Sequence, residues 1–102
     1  MREPKKNPKG NLADDVHTLL HPVRLAIVEQ LAKGPQYISA LSNMLGMERR
    51  LVTYHLLTLE SYGFVKSRRE VSLTPGSLGK GLKIYESTPK VAEVKAAAKK
   101  AL

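Results

Sequence analysis

From residue 12 onward, hydrophobic positions recur at intervals of three and four along the chain, which is the spacing of one face of an α-helix. This pattern, together with its caps and breakers, predicts four successive helices. They are residues 12–20, a segment from Pro22 to the Gly34-Pro35 break, the segment ISALSNMLG with Ser39 as its cap, and residues 48–63. The second helix has so wide a hydrophobic face that we expect it to lie deep in the core.

The third and fourth helices are separated by very little chain. Only Met47 follows the glycine that ends the third helix, so the two helices must meet across a tight turn, as in a helix-turn-helix. The fourth helix has one hydrophobic side, formed by Val52, Leu56 and Leu59, which we expect to pack. Its opposite side holds Arg50, Tyr54, Leu57 and Ser61. The N-terminal end is cationic and rich in hydrogen-bonding groups, and such an end fits the major groove of DNA.

After Gly63 the pattern changes from helical spacing to alternation. The runs FVKSRREVSL and GLKIYEST alternate hydrophobic and polar residues, and the turn-rich segment TPGSLGKG joins them. Residues 64–87 are therefore expected to form a long-tipped hairpin. A last helix begins at Pro89. The sequence thus predicts a mainly α fold with one β-hairpin, in the order α-α-α-α-β-β-α.

Length and composition favour one small domain. A chain of 102 residues suits a single modest core, and no hydrophobic stretch approaches the roughly 20 residues that a membrane-spanning helix needs. We expect a cytoplasmic protein in which residues 1–10 form a flexible basic arm and residues 11–102 form the folded domain. The chain has no cysteine, which excludes disulfides, thiolate metal sites and cysteine nucleophiles.

Positive charge is unevenly distributed along the chain. The net charge of +8 favours a polyanionic partner. Residues 11–47 are nearly neutral, whereas residues 48–83 hold seven cations and three acids, so the charge returns where the fourth helix begins. The lysines at the two ends of the chain fit ordinary solvated charge. The central block fits that interpretation less well and favours nucleic acid as the partner.

The segments LLHPVRLAIVEQL and ISALSNMLGMERRLVTYHLLTLESYGFVKSRRE resemble the winged helix-turn-helix regulators of the ArsR type. The strongest match is the pattern H-L-x-x-L-x-x-x-G-x-V, which runs from His55 to Val65, and the likeness covers nearly all of residues 12–102. The resemblance implies a homodimeric, sequence-specific repressor that binds double-stranded DNA, with helix 48–63 in the major groove and hairpin 64–87 as the wing. Metal-sensing relatives commonly use a cysteine motif that this chain lacks, so we expect no thiolate sensor and no cofactor.

Positions on these elements define a predicted DNA surface and a predicted dimer interface. The DNA-binding set comprises Arg49, Arg50, Thr53, Tyr54, His55, Lys66, Arg68, Arg69, Lys80 and Lys83. The dimer interface comprises hydrophobic positions of the first and last helices, namely Leu12, Val16, Leu19, Val91, Val94, Ala98 and Ala101. Packing of the last helix within its own subunit is the alternative.

The sequence leaves other interpretations open. A winged helix can also be a protein-interaction module or a non-specific nucleic-acid-binding module, either architectural or RNA-binding, and a metal- or ligand-dependent sensor would share the DNA surface. Asp14, His17 and His21 have the spacing of three metal ligands if the first helix continues to His21. For His55 a structural hydrogen bond competes with a phosphate contact, and Arg24 is expected to form a structural ion pair. No catalytic set of residues is visible, so an enzyme is not expected.

Overall fold

A computed structural model describes residues 11–71 and 81–101 of the protein. The predicted arm of residues 1–10, residues 72–80 and Leu102 lie outside the described residues, so the predicted loop TPGSLGKG is described only at its last residue, Gly81. The elements are α1 (Leu12–Leu19), α2 (Pro22–Leu31), β1 (Gln36–Tyr37), α3 (Ile38–Leu45), α4 (Arg49–Ser61), β2 (Val65–Val71), β3 (Gly81–Ser87) and α5 (Lys90–Ala101). Within these ranges no helix has the length and apolar character needed to cross a membrane.

The order of elements confirms the predicted one, with β1 as an addition. β2 and β3 form the predicted antiparallel hairpin, and β1 pairs with the other edge of β3, which places the strands in the order β1-β3-β2. In this added pairing Gln36 lies opposite Tyr85 and Tyr37 opposite Ile84. Two residues are too few to show an alternating pattern, which is why the sequence does not reveal β1.

The tight turn between α3 and α4 depends on Gly46. Its φ of 64° is left-handed, a conformation that glycine adopts without the steric cost of a side chain. The Met47 N–H donates to the Ser42 carbonyl at 3.1 Å, and the Ser42 hydroxyl donates to the Met47 carbonyl, so the turn is closed from both directions. The predicted cap at Ser39 is wrong. The chain enters α3 directly from β1, so Tyr37 takes the cap position, and its side chain makes no capping hydrogen bond.

The hydrophobic side of α4 lies in the centre of the core. Val52, Leu56 and Leu59 are fully buried, as predicted. Burying a side chain of this size stabilises the fold by about 1.5–3 kcal/mol. The other buried hydrophobic residues are Leu19, Ile27, Val28, Leu31, Leu41, Phe64, Val65, Ile84, Tyr85 and Val94. α4 is therefore held along one side, which leaves the opposite side to face away from the domain.

Lys90 fastens α5 to the rest of the subunit. Its Nζ lies 3.2 Å from the carboxylate of Asp15, a buried residue of α1, and donates to the Tyr62 carbonyl at 2.6 Å. The same ammonium lies 5.0 Å from the centre of the Phe64 ring. One turn later, Val94 is buried in the core. The first half of α5 thus packs within its own subunit.

Candidate nucleic-acid interface

The polar side of α4 faces away from the core, beginning at the helix N-terminus. Arg49 and Arg50 are exposed in the first turn, Tyr54 is 58% exposed in the second, and Leu57 is 52% exposed. The Thr53 hydroxyl donates to the Arg49 carbonyl at 2.7 Å, so its oxygen can still accept a hydrogen bond from a ligand. The exposure of this side confirms the expected orientation of α4 and leaves its cationic end accessible.

His55 has no part in this exposed surface. It is 4% exposed, its Nδ1 accepts a hydrogen bond from Nε of Arg24 at 3.1 Å, and its ring centre lies 4.7 Å from that of His21. The predicted DNA contact by His55 is therefore wrong, because His21 and Arg24, at the start of α2, cover the imidazole. Among the described residues Arg24 does not form the expected ion pair; its guanidinium donates to His55 and, at 3.1 Å, to the Thr18 carbonyl.

The surroundings of His55 favour its neutral form. Burial lowers the pKa of the imidazole, and the nearby charges of Arg24 and His21 lower it further. The Nδ1 atom that accepts from Arg24 is the atom that protonation would occupy. A cationic His55 would lose this hydrogen bond and would lie against a guanidinium.

We expect stability to decrease below neutral pH through His55. Because its folded pKa lies below the unfolded value of about 6.5, the unfolded chain takes up the proton first. The contribution is complete above about pH 6.5 and is lost as the pH falls toward the folded pKa. The free energy of unfolding in urea, measured from about pH 7.5 to about pH 5.5, should therefore fall less in His55→Asn than in the wild type. Equal losses in the wild type and in His55→Asn would contradict the assignment.

The hairpin divides its predicted DNA-binding cations between two faces. Lys66 and Arg68 share one face with two acids. The Arg68 guanidinium lies 3.2 Å from Glu86 and 3.3 Å from Glu70, and Lys66 Nζ lies 3.8 Å from Glu86. Exposed pairs of this kind stabilise a protein by less than about 1 kcal/mol. They nevertheless cancel the formal charge of this face and so reduce its attraction for phosphate.

Arg69 and Lys83 lie on the other face, directly opposite each other in the strand register, and both are exposed. Like charges placed in this way destabilise a strand pair. Among the ion pairs within residues 11–71 and 81–101, none includes Arg69 or Lys83. Lys83 also lines a cleft of about 150 Å³ with Arg49, where the starts of α3 and α4 meet β3. Lys83 therefore lies near both Arg69 of the wing and Arg49 at the start of α4. Lys80 lies outside the described residues.

An open hydrophobic groove lies between α1 and α5. Its volume is about 760 Å³, and its hydrophobic lining includes Leu12, Val16, Leu20 and Ala98. Leu12 is 45% exposed and Leu20 is 51% exposed. Leu20 is not part of the predicted interface. The sequence signal that could have included Leu20 is its hydrophobic side chain at the end of the hydrophobic positions of the first helix. The groove leaves a hydrophobic surface of one subunit uncovered.

Part of the predicted dimer interface is wrong. Leu19 and Val94 are buried in the core of the subunit, and the half-buried Val91 packs against that core. Their burial follows from the packing of α5 on α1, which covers the inner sides of both helices. The side chain of Ala101 lies outside the described part of the chain. From the predicted set, the groove retains Leu12, Val16 and Ala98.

The alternative metal site on the first helix is not formed. α1 ends at Leu19, and His21 instead caps α2, where its Nδ1 accepts a hydrogen bond from the Val23 N–H at 3.1 Å. His21 therefore does not continue the helical spacing of Asp14 and His17. Across the described ranges, no three histidine, cysteine, aspartate or glutamate side chains are grouped to hold a metal ion.

Residues 21–67 match the family model described as bacterial regulatory protein, arsR family. This segment extends from the cap of α2 through the helix-turn-helix into β2. A comparison with curated proteins finds none that matches.

Solved structures resemble nearly the whole chain. The transcriptional repressor BigR from Xylella fastidiosa is 29% identical, with 83% of this chain and 77% of that chain covered and a TM-score of 0.66. A homodimeric winged helix-turn-helix DNA-binding domain from Mycobacterium bovis, a possible ArsR-family regulator, is 26% identical over 98% of this chain and 89% of that chain, with a TM-score of 0.65. NolR from Sinorhizobium fredii shares the fold at 22% identity, with coverage of 99% and 94% and a TM-score of 0.69. The family match at the helix-turn-helix and these likenesses show that the chain has a winged helix-turn-helix fold and is similar to transcriptional regulators of the ArsR type.

Proposed function

We propose that the protein binds double-stranded DNA as a homodimer and represses transcription by occupying an operator. The observation that carries this proposal is the exposed, cationic N-terminal end of α4, presented by the tight turn after α3. A recognition helix reads bases with the side chains of its first turns, because these reach deepest into the major groove. Arg49, Arg50, Thr53 and Tyr54 occupy those turns.

The charge distribution supports a specific placement of the wing. Arg49, Lys83 and Arg69 form a series of exposed cations from the start of α4 to the hairpin, and the repulsion between Arg69 and Lys83 would be relieved by an anion. A phosphate beside Lys83 would supply that anion. Lys66 and Arg68 are already paired with acids, so we assign them a smaller share of the binding free energy.

The groove between α1 and α5 supports dimerisation. It exposes Leu12 and Leu20 in one subunit, and a second copy would cover both. A dimer with a two-fold axis through this surface carries two α4 helices, and binding to successive major grooves requires them to lie about 34 Å apart on one side of the dimer. The similar Mycobacterium bovis domain is a homodimer, which agrees with this assignment.

Enrichment from a random pool of duplex DNA at physiological salt tests the function. We expect a palindromic motif with half-sites one helical turn apart, because each subunit presents one α4. In competition, duplex DNA carrying this motif should displace bound RNA of similar charge. Failure to enrich any sequence would contradict specific recognition and would favour a protein-interaction or architectural role.

A further inference from the structure

A hydrophobic side chain lies within the polar side of α4. Leu57 is 52% exposed and follows Tyr54, itself 58% exposed, by about one helical turn. Arg50 lies about one turn before Tyr54 and completes this row. The adjacent Leu56 is fully buried, so the core side of the helix is already occupied by other residues. Leu57 is therefore available for contact with a partner that binds the outward side of α4.

Arg49 and Arg50, about two turns before Leu57 at the exposed start of α4, indicate that this partner is DNA. The chemistry of the major groove then restricts what Leu57 can contact. Base edges in that groove present hydrogen-bond donors and acceptors, except that thymine also presents the C5 methyl group. Covering a donor or acceptor with a leucine side chain removes its water without replacing the hydrogen bond. Covering a methyl group removes apolar surface from water on both sides, which is favourable.

We infer that Leu57, with the ring of Tyr54 beside it, recognises thymine through its C5 methyl group. Each half-site then carries a thymine beneath the second and third turns of α4. Arg50 contacts a neighbouring base pair that offers acceptors, such as the guanine of a G·C pair. This inference rests on the proposed insertion of α4 into the major groove and adds the base chemistry that the operator must provide.

Uracil substitution tests the contact, because uracil differs from thymine by the methyl group alone. Each thymine of the enriched operator is replaced in turn, and binding of the 102-residue chain is measured at fixed salt. At one position in each half-site we expect affinity to fall about fourfold for each methyl group lost. Leu57→Ala should bind the thymine and uracil forms of that position equally, whereas Tyr54→Phe, which keeps the ring, and the exposed wing control Leu82→Ala should retain the difference.

The outcomes separate this inference from the proposed function. If every uracil operator binds the wild type as tightly as the thymine operator, the thymine contact is overturned while operator recognition stands. A uracil penalty that persists in Leu57→Ala also overturns the inference, since another residue then contacts the methyl group. If no operator is enriched, both the inference and the proposed function fail. Leu57 is exposed, so circular dichroism of Leu57→Ala should match the wild type.

Discussion

Replacing Arg49 and Arg50 together with alanine is expected to lower operator affinity about 100-fold while leaving the fold intact. A bidentate contact between arginine and a base contributes about 1–3 kcal/mol of discrimination, and each lost phosphate contact reduces the slope of log affinity against log salt by about one. Both side chains are exposed at the start of α4, so their removal leaves the core unchanged. Fluorescence anisotropy with the enriched operator at several salt concentrations measures the affinity and the slope together.

Arg68→Ala is the matched control for the arginine pair. It removes the same type of side chain from the same molecule, but Arg68 is already held between Glu70 and Glu86. We expect its effect on affinity to be less than about fivefold, because its charge is largely neutralised before DNA arrives. A loss in Arg68→Ala equal to that of the double variant would show that total charge, rather than position on α4, determines binding.

Leu12→Glu combined with Leu20→Glu is expected to convert the dimer to a monomer and to weaken operator binding by about 100-fold or more. Covering two carboxylates in a hydrophobic interface is costly, and a monomer loses the second half-site, whose contribution as a linked site reaches about 10²–10⁴ in affinity. Both leucines line the groove and are about half exposed, so the subunit should remain folded. Sedimentation at micromolar concentration gives the oligomeric state, and titration with operators containing one or two half-sites gives the linkage.

Met44→Glu is the control for the sedimentation measurement. Met44 is 46% exposed on α3, which does not line the groove, so a carboxylate introduced there should leave the dimer intact. Dimerisation through the groove would be contradicted by a wild type that sediments as a monomer, or by a double variant that sediments as a dimer. In the second case another surface of the subunit would form the interface.

The helices and the turn before α4 were predictable because their signals are local. A side chain's position around a helix depends on its distance along the chain, so Val52, Leu56 and Leu59 could be assigned to one side and Tyr54 to the other from spacing alone. Gly46 ends α3 because glycine readily adopts the left-handed conformation, and this property belongs to that one residue. The family resemblance is strongest from His55 to Val65, in the helix that follows this turn and the start of β2, and the match over residues 21–67 confirms the resemblance.

The sequence by itself therefore determined the helical order, the hairpin and the cationic side of α4, because each is encoded by neighbours in the chain. The tertiary structure decided which of the candidate residues remain accessible. Arg24, which covers His55, lies 31 residues away from it in the sequence. Likewise, the pairing of β2 with β3 brings Arg68 to Glu86, 18 residues further along the chain, and places Arg69 opposite Lys83. Periodicity states which residues share a face but not what covers that face, since the covering group comes from a distant part of the chain.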